Sequence, residues 1–346
     1  MGNILDYLDW RGDLTFEQSP FNEVDNLILA CFSYLDLDER AEVKNGNTLS
    51  VEELFAAFSR QEMKKDLKAE SAFLQNTPVL LEKMACAERF RKCTVGGFVN
   101  EILSSQAQQF AAVTIGLDDG TTYISFRGTD DTIVGWKEDF NLSNGVVPSH
   151  RKALGYLETH GTYIQSMLRI GGHSKGGNLA VYAGAFTDEN SRNHIDYIYN
   201  FDGPGFSLDK IRDSGFYEVD DRIYTFVPQS SIFGMMFEHE ESYTIVKSNQ
   251  KGFLQHDVYS WEIEQNRLVR LKSTTNFSVF FDHTLKEFVE SLTIAQRREF
   301  TKEVFALLSL TETATFNEML KNPLKNTVAL PQQIVMNPQE NGFLVK

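Results

Sequence analysis

Residues Gly172-His173-Ser174-Lys175-Gly176, with Gly177 directly after them, leave this chain few local conformations. The segment running up to Ile170 reads as a short buried strand. Asn178 to Phe186, carrying Leu179, Ala180, Val181, Ala183 and Ala185, reads as a helix. A strand that becomes a helix within a few residues needs a sharp, strained turn. Glycine on both sides of the apex lets the two backbones approach where a Cβ would collide. Ser174 stands at that apex, and the positive end of the following helix favours negative charge developing beside its hydroxyl. Strand, tight turn and helix around G-x-S-x-G are the setting of a nucleophile elbow.

The rest of the chain supplies a frame for that turn. At 346 residues it is long enough for one large domain with additions, or for two. The first 95 residues read mostly as helix. Asn22 caps a helical pattern reaching Leu37, Ser50-Val51-Glu52-Glu53 is a capping box opening a helix toward Lys65, and Pro78–Ala87 forms another. The pattern then changes. Gln109–Leu117 and Thr121–Phe126 alternate as strands around Asp118-Asp119-Gly120, a hairpin signal. Helices are expected near Gly135–Phe140 and from Ser149 to about Met167. Strands follow over His194–Phe201, Arg222–Val227 and Tyr243–Ser248. Alternating strands and helices predict an α/β core over residues 96–280, with a mostly parallel sheet covered by helices on both faces. Residues 281–346 are expected to add helices over Asp282–Leu308 and an extended tail containing Pro323, Pro331 and Pro338.

Composition narrows the partners. A net charge of −15 argues against nucleic acid and against simple electrostatic docking on anionic lipid. Cys31, Cys86 and Cys93, odd in number and without a tight pair, read as small buried hydrophobes rather than as a disulfide framework or a zinc site. The acidic N-terminus is not a signal peptide, and Asp6 stands where a myristoylation signal needs Ser or Thr. No apolar run is long enough to span a bilayer. The expectation is a cytoplasmic chain of open oligomeric state.

A serine hydroxyl near neutral pH needs a base, an acid that orients the base, and donors for the developing oxyanion. Of the seven histidines, His256 lies in a loop just after the last core strand, the topological place for the base. His239 and His283 are the other candidates that follow the nucleophile. Asp202 ends the first strand after Ser174, at the carboxyl edge where open α/β sheets bind ligands, and is the candidate acid. Asp257 and Glu238 are lesser candidates, and Asp202 also reads as a helix cap. The next strand ends in Pro228-Gln229-Ser230-Ser231, with no carboxylate. The backbone N–H of Lys175 and a donor at Thr129 or Asp130, after Gly128, are the expected oxyanion hole.

Phe126-Arg127-Gly128-Thr129, followed by Trp136-Lys137-Glu138-Asp139-Phe140 and by Gly172-His173-Ser174-Lys175-Gly176-Gly177, resembles the motif set of class 3 lipases over residues 105–260. The whole chain more closely resembles a bacterial Mbeg-like family of α/β-hydrolases. Asp6-Tyr7-Leu8, Trp10-Arg11-Gly12-Asp13, Pro20–Asp25, Val227–Ser231 and Gln255-His256-Asp257 carry that likeness. The resemblance implies an α/β-hydrolase fold and a serine esterase or lipase activity. Two positions depart from the lipases: Lys175 stands where an apolar residue is usual, and Ser/Gln occupy the usual acid position.

Ile232, Phe233, Met235 and Met236 are placed to form an acyl-binding wall or a movable lid, or else to pack a crossover. The acidic Glu238–Glu241 run reads as a solvated face. No motif calls for a metal or an organic cofactor. Two function classes stand: a serine hydrolase acting on an acyl ester or lipid, and a hydrolase-fold protein that binds a lipid or protein partner without turnover.

Overall fold

The structure, a computed structural model, describes residues 1–44, 46–58, 72–103, 108–129, 145–161, 166–206, 214–231, 233–235, 239, 241–275 and 296. An eight-stranded sheet runs through it in sequence order: β1 (Thr48–Ser50), β2 (Thr94–Leu103), β3 (Gln108–Gly116), β4 (Thr122–Phe126), β5 (Leu168–His173), β6 (Ile195–Phe201), β7 (Ile223–Pro228) and β8 (Tyr243–Val246). β1 to β4 pair antiparallel, and β4 to β8 pair parallel. The β3–β4 hairpin turns through Gly120 at φ 80°. With crossover helices on its faces, this is an α/β-hydrolase fold.

Two cores explain why the parallel strands are buried nearly throughout. One face carries the helices Pro148–Gly161 and Lys175–Phe186. Leu157, Leu179, Ala180 and Ala183 pack there against Ile124, Ile170 and Ile198 of the sheet. The other face carries the helix Glu23–Phe32, backed by Ile4–Arg11 and Thr77–Cys86. Leu27, Ile28 and Leu81 lie there in one cluster with Val113, Tyr123 and Phe201. The helical N-terminal segment thus forms the second layer over the sheet.

Several elements differ from their sequence expectation. β1 and β2 were not expected. β2 carries Gly96 and Gly97, the latter at φ 62°, and its register with β3 shifts there, which breaks the alternation. β1 is three residues long and is held by pairing with β2. The helix capped by Asn22 stops at Phe32, because Tyr34 and Leu35 donate to carbonyls three residues back and Ser33 Oγ donates to Ala30 O. His194 closes a short helix, Glu189–His194, capped by Asp188, rather than opening β6. The long helix begins at Pro148 and ends at Gly161. The Ser50–Glu53 capping box forms, opening Val51–Ala57. Cys86 is exposed, whereas Cys31 and Cys93 are buried. The expected helices at Gly135–Phe140 and Asp282–Leu308 and the proline-containing tail lie outside the described residues, apart from Gln296. Among the described residues no helix is long and apolar enough to cross a membrane.

Register decides what meets at the sheet's carboxyl edge. Phe126 aligns with Gly172, His173 with Phe201, Phe201 with Phe226, and Pro228 with Val246. The segments immediately beyond, Arg127–Thr129, Ser174, Asp202, Gln229–Ser231 and the loop reaching His256, therefore open on one rim.

Candidate active site

Ser174 has φ 58° and ψ −134°, a left-handed conformation that costs a non-glycine residue about 1–3 kcal/mol. Its neighbours enforce it. Ser174 N–H completes the ladder to Phe201 O at 2.9 Å, so the strand continues up to the serine. The helix begins at the next residue, Lys175. A Cβ on Gly176 would stand 2.1 Å from Phe126 O, and one on Gly172 would stand 2.4 Å from the same oxygen. The flanking glycines are thus required by close approach to the end of β4.

Asp202 repeats the device one strand over. It too has positive φ, 53°, and its N–H donates to Phe226 O at 2.8 Å. Asn200 Oδ1 closes the turn by accepting from Gly203 N–H at 2.9 Å. The carboxylate is buried. Oδ2 lies 2.7 Å from His256 Nδ1, while Oδ1 accepts from Ser231 Oγ and, at 3.1 Å, from the Gly234 N–H. A carboxylate only accepts, so Nδ1 of His256 carries a proton, and in the neutral ring the lone pair is on Nε2. The His256 side chain is 19% exposed against 1% for Asp202. Asp202 thus orients a ring that still reaches solvent.

The serine position after β7, where sequence shows no carboxylate, supplies a donor to the one after β6. Ser231 and Gly234 had no sequence signal beyond that gap. Asp257, the other candidate acid in the described region, caps its own turn by accepting from Tyr259 N–H at 3.0 Å, and burial raises its pKa. His239 lies between Glu241, 3.0 Å from its Nδ1, and Gly234 O, 2.8 Å from its Nε2. Glu241 is therefore buried in a pair rather than part of a solvated face. Burial pushes its carboxyl up, but hydrogen bonds from His239 and Thr225 outweigh that and hold it below the usual range.

His173 is 4% exposed, and its ring lies 4.5 Å from that of His256. Its Nε2 lies 2.9 Å from His256 O, and its Nδ1 lies 3.1 Å from Tyr34 Oη. Burial, and next the repulsion between its ring and that of His256 when both carry a proton, pushes its pKa well below the usual histidine value, so it is neutral. Among the described residues no hydrogen bond joins Ser174 Oγ to the His256 ring, and the contact between elbow and base loop runs through His173.

Thr129 ends the described part of the β4 turn. A Cβ on Gly128 would lie 3.0 Å from Ser174 Cβ, which brings that backbone beside the nucleophile. The Lys175 side chain runs inward, with Nζ donating to Gln109 O at 2.9 Å, so its departure from an apolar residue is accommodated by β3. Phe233 rests on the His256 ring at 4.3 Å in a short turn, Phe233–Met235. Asp130, Ile232, Met236, Glu238, His283 and the Trp136–Phe140 motif lie outside the described residues. Among the described residues no group of His, Cys, Asp or Glu is disposed to hold a metal ion.

The chain is similar to solved lipase structures. It matches the Rhizomucor miehei lipase in its native propeptide complex at 17% identity and TM-score 0.33, over 45% of this chain and 57% of that one. It matches the M37 lipase at 17% identity and TM-score 0.36, over 60% of this chain and 68% of that one. The chain thus spans a little over half the length of the Rhizomucor lipase. No curated protein matches it. The model of the Mbeg1-like family matches residues 84–306, well over half of the chain, and the protein therefore belongs to the Mbeg1-like family.

Proposed function

We propose that this protein is a serine hydrolase of acyl esters, with Ser174 as nucleophile, His256 as base and Asp202 as orienting acid. The observation that carries the reading is the 2.7 Å Asp202–His256 pair, which opens on the same rim as the strained Ser174 turn. Ser174 Oγ attacks the acyl carbonyl carbon while His256 Nε2 takes the hydroxyl proton. Asp202 holds Nδ1–H, fixes the tautomer and stabilises the imidazolium. The tetrahedral oxyanion faces the Lys175 N–H at the helix start and the backbone around Thr129. Collapse breaks the bond to the leaving alcohol, which takes the proton from Nε2. Water then attacks the acyl-enzyme with His256 again as base, releasing the carboxylic acid and Ser174. Phe233, against the His256 ring, and Met235 in the same short turn supply the acyl wall in this reading.

The missing hydrogen bond between Ser174 and His256 favours a second reading, in which the site binds a lipid or protein partner without turnover. In active hydrolases such bonds are often long before substrate arrives. A fluorophosphonate probe separates the two. It is expected to label the wild-type chain and not Ser174→Ala. An unlabelled wild type that is folded and still binds acyl lipid supports the second reading.

A further inference from the structure

We infer that Tyr34 and His173 act as a positioning relay that holds the His256 loop in register with Ser174, so that the N-terminal helical segment contributes to turnover. The inference rests on the ester-hydrolase reading. It adds two residues that never touch substrate, one of them ahead of the family match at 84–306.

The acceptor-only carbonyl of His256 fixes the tautomer of His173. The His256 carbonyl only accepts, so His173 Nε2 must carry the proton that bridges 2.9 Å to it. His173 is neutral, so Nδ1 is left as acceptor and Tyr34 Oη donates to it at 3.1 Å. The same hydroxyl lies 3.3 Å from His173 O. The one Tyr34 hydroxyl proton is therefore shared between the ring Nδ1 and the carbonyl oxygen of the residue preceding the nucleophile, while the Nε2 side of that ring grips the backbone of the base.

Tyr34 is itself fixed. Its N–H donates to Cys31 O where the Glu23–Phe32 helix tightens, and Phe73 meets its ring edge-on at 4.7 Å. Phe73 also packs on His173 and on Tyr259, both at 5.4 Å, and so closes the relay from the solvent side of the N-terminal layer. A Cβ on Gly128 would stand 2.2 Å from Tyr34 Oη. The hydroxyl thus also lies against the turn assigned to the oxyanion donors. One side chain from the N-terminal layer touches the elbow and the β4 turn directly, and the base loop through one intervening ring. The other anchors of that loop, Trp261 Nε1 to Gln255 O at 2.8 Å and Ser230 N–H to Gln255 Oε1 at 2.8 Å, hold the residue before His256 rather than the His256 peptide.

The test uses the full chain with three variants: Tyr34→Phe, His173→Phe and His173→Gln. p-Nitrophenyl butyrate hydrolysis and 15N imidazole NMR are the readouts. His173→Phe keeps the ring volume and removes both hydrogen bonds. It is expected to lower kcat by about 10–100-fold with KM within about twofold, the scale of a misplaced catalytic group. His173→Gln returns a donor toward the His256 carbonyl and is expected to recover kcat to within about fivefold of wild type. Tyr34→Phe, which removes one oxygen, is expected to lower kcat by about threefold or more. Wild-type kcat in His173→Phe and Tyr34→Phe, or a His173→Gln as poor as His173→Phe, overturns the inference. If the wild type is neither labelled nor active, the ester-hydrolase reading fails and the NMR decides the relay alone. The expected result is then a His256 ring of Nδ1–H tautomer whose resonances move in Tyr34→Phe and His173→Phe. Unchanged His256 resonances overturn it. Should His173→Phe not fold, Tyr34→Phe carries both arms.

Discussion

Two of this molecule's aspartates, one under the N-terminal helices and one at the sheet's carboxyl edge, are paired with basic side chains, and the pairs are built differently. Arg89 and Asp25, under the N-terminal helices, have fully buried side chains. Arg89 bonds both oxygens of Asp25 at 2.6 Å and donates to the carbonyls of Leu14, Thr15, Ser19 and Pro20. Tyr7 Oη and the Asn22 N–H donate to Asp25 as well, and Phe16 lies 4.3 Å beneath the guanidinium. Every Arg89 donor is satisfied, and none of these residues has positive φ. Asp202 and His256 also form a short pair, but the ring keeps an open nitrogen and partial exposure, and the carboxylate stands on left-handed backbone. The first arrangement fixes several loops to one another. The second holds a partly exposed ring beside backbone of positive φ. A charged pair whose donors are all consumed by the protein is structural, whereas one with an unconsumed nitrogen beside a strained serine is available for chemistry.

That contrast can be broken at either end. The largest expected effect is at the reactive pair. Asp202→Asn keeps an acceptor for Gly234 and Ser231 but presents an amide to His256 Nδ1, and turnover of p-nitrophenyl butyrate should fall by about 10⁴-fold through the wrong tautomer. A variant that loses thermal stability while keeping its specific activity would make Asp202 a cap instead.

At the structural pair the effect should appear in stability. Arg89→Ala leaves Asp25 buried without its cation and the donors it supplied, and should lower the unfolding free energy by about 3–5 kcal/mol in urea titrations. The folded fraction should still turn over substrate normally. A change under about 1 kcal/mol would remove the distinction drawn between the two pairs.

A smaller effect comes from His173, whose folded pKa lies well below its unfolded value of about 6.5. Below pH 6.5 the unfolded chain takes up a proton that the folded chain refuses. The contribution of His173 to stability is therefore complete above that pH and declines as pH falls toward the folded pKa. The slope is about 1.4 kcal/mol per pH unit for one proton. The difference in unfolding free energy between wild type and His173→Phe should follow that slope between about pH 6.5 and 5. A pH-independent difference would mean that the folded and unfolded chains take up the His173 proton alike, with no shift on folding. The smallest effect is at Asp257, where Asp257→Asn should change the hydrolysis rate by less than about twofold. A collapse in rate there would move the orienting acid away from Asp202.

Local chemistry made the elbow legible: two glycines, one serine and a strand-to-helix change within six residues admit few geometries. The same holds for the Asn22 and Ser50 caps and the Asp118–Gly120 hairpin turn, whose side-chain and φ requirements are satisfied within four residues of chain. β1 was illegible because three residues become a strand only when β2 offers its edge, and β2 hides its alternation behind a glycine bulge. The exposure of Cys86 and the inward course of Lys175 depend on what packs beside them, as does the burial of Glu241 against His239 and Thr225.

The amino-acid sequence by itself determined the turn that carries Ser174, the alternation that makes an α/β sheet, and the short set of carboxylates and histidines that could serve it. Only the tertiary structure decided that Asp202 and His256, fifty-four positions apart, lie 2.7 Å from each other. It also decided that Ser231 steadies the carboxylate, and that Tyr34 reaches the elbow through His173 across 139 positions. The reason is that short-range preferences specify φ, ψ and periodicity, whereas strand register and layer packing set which loop ends converge, and those are properties of the whole sheet.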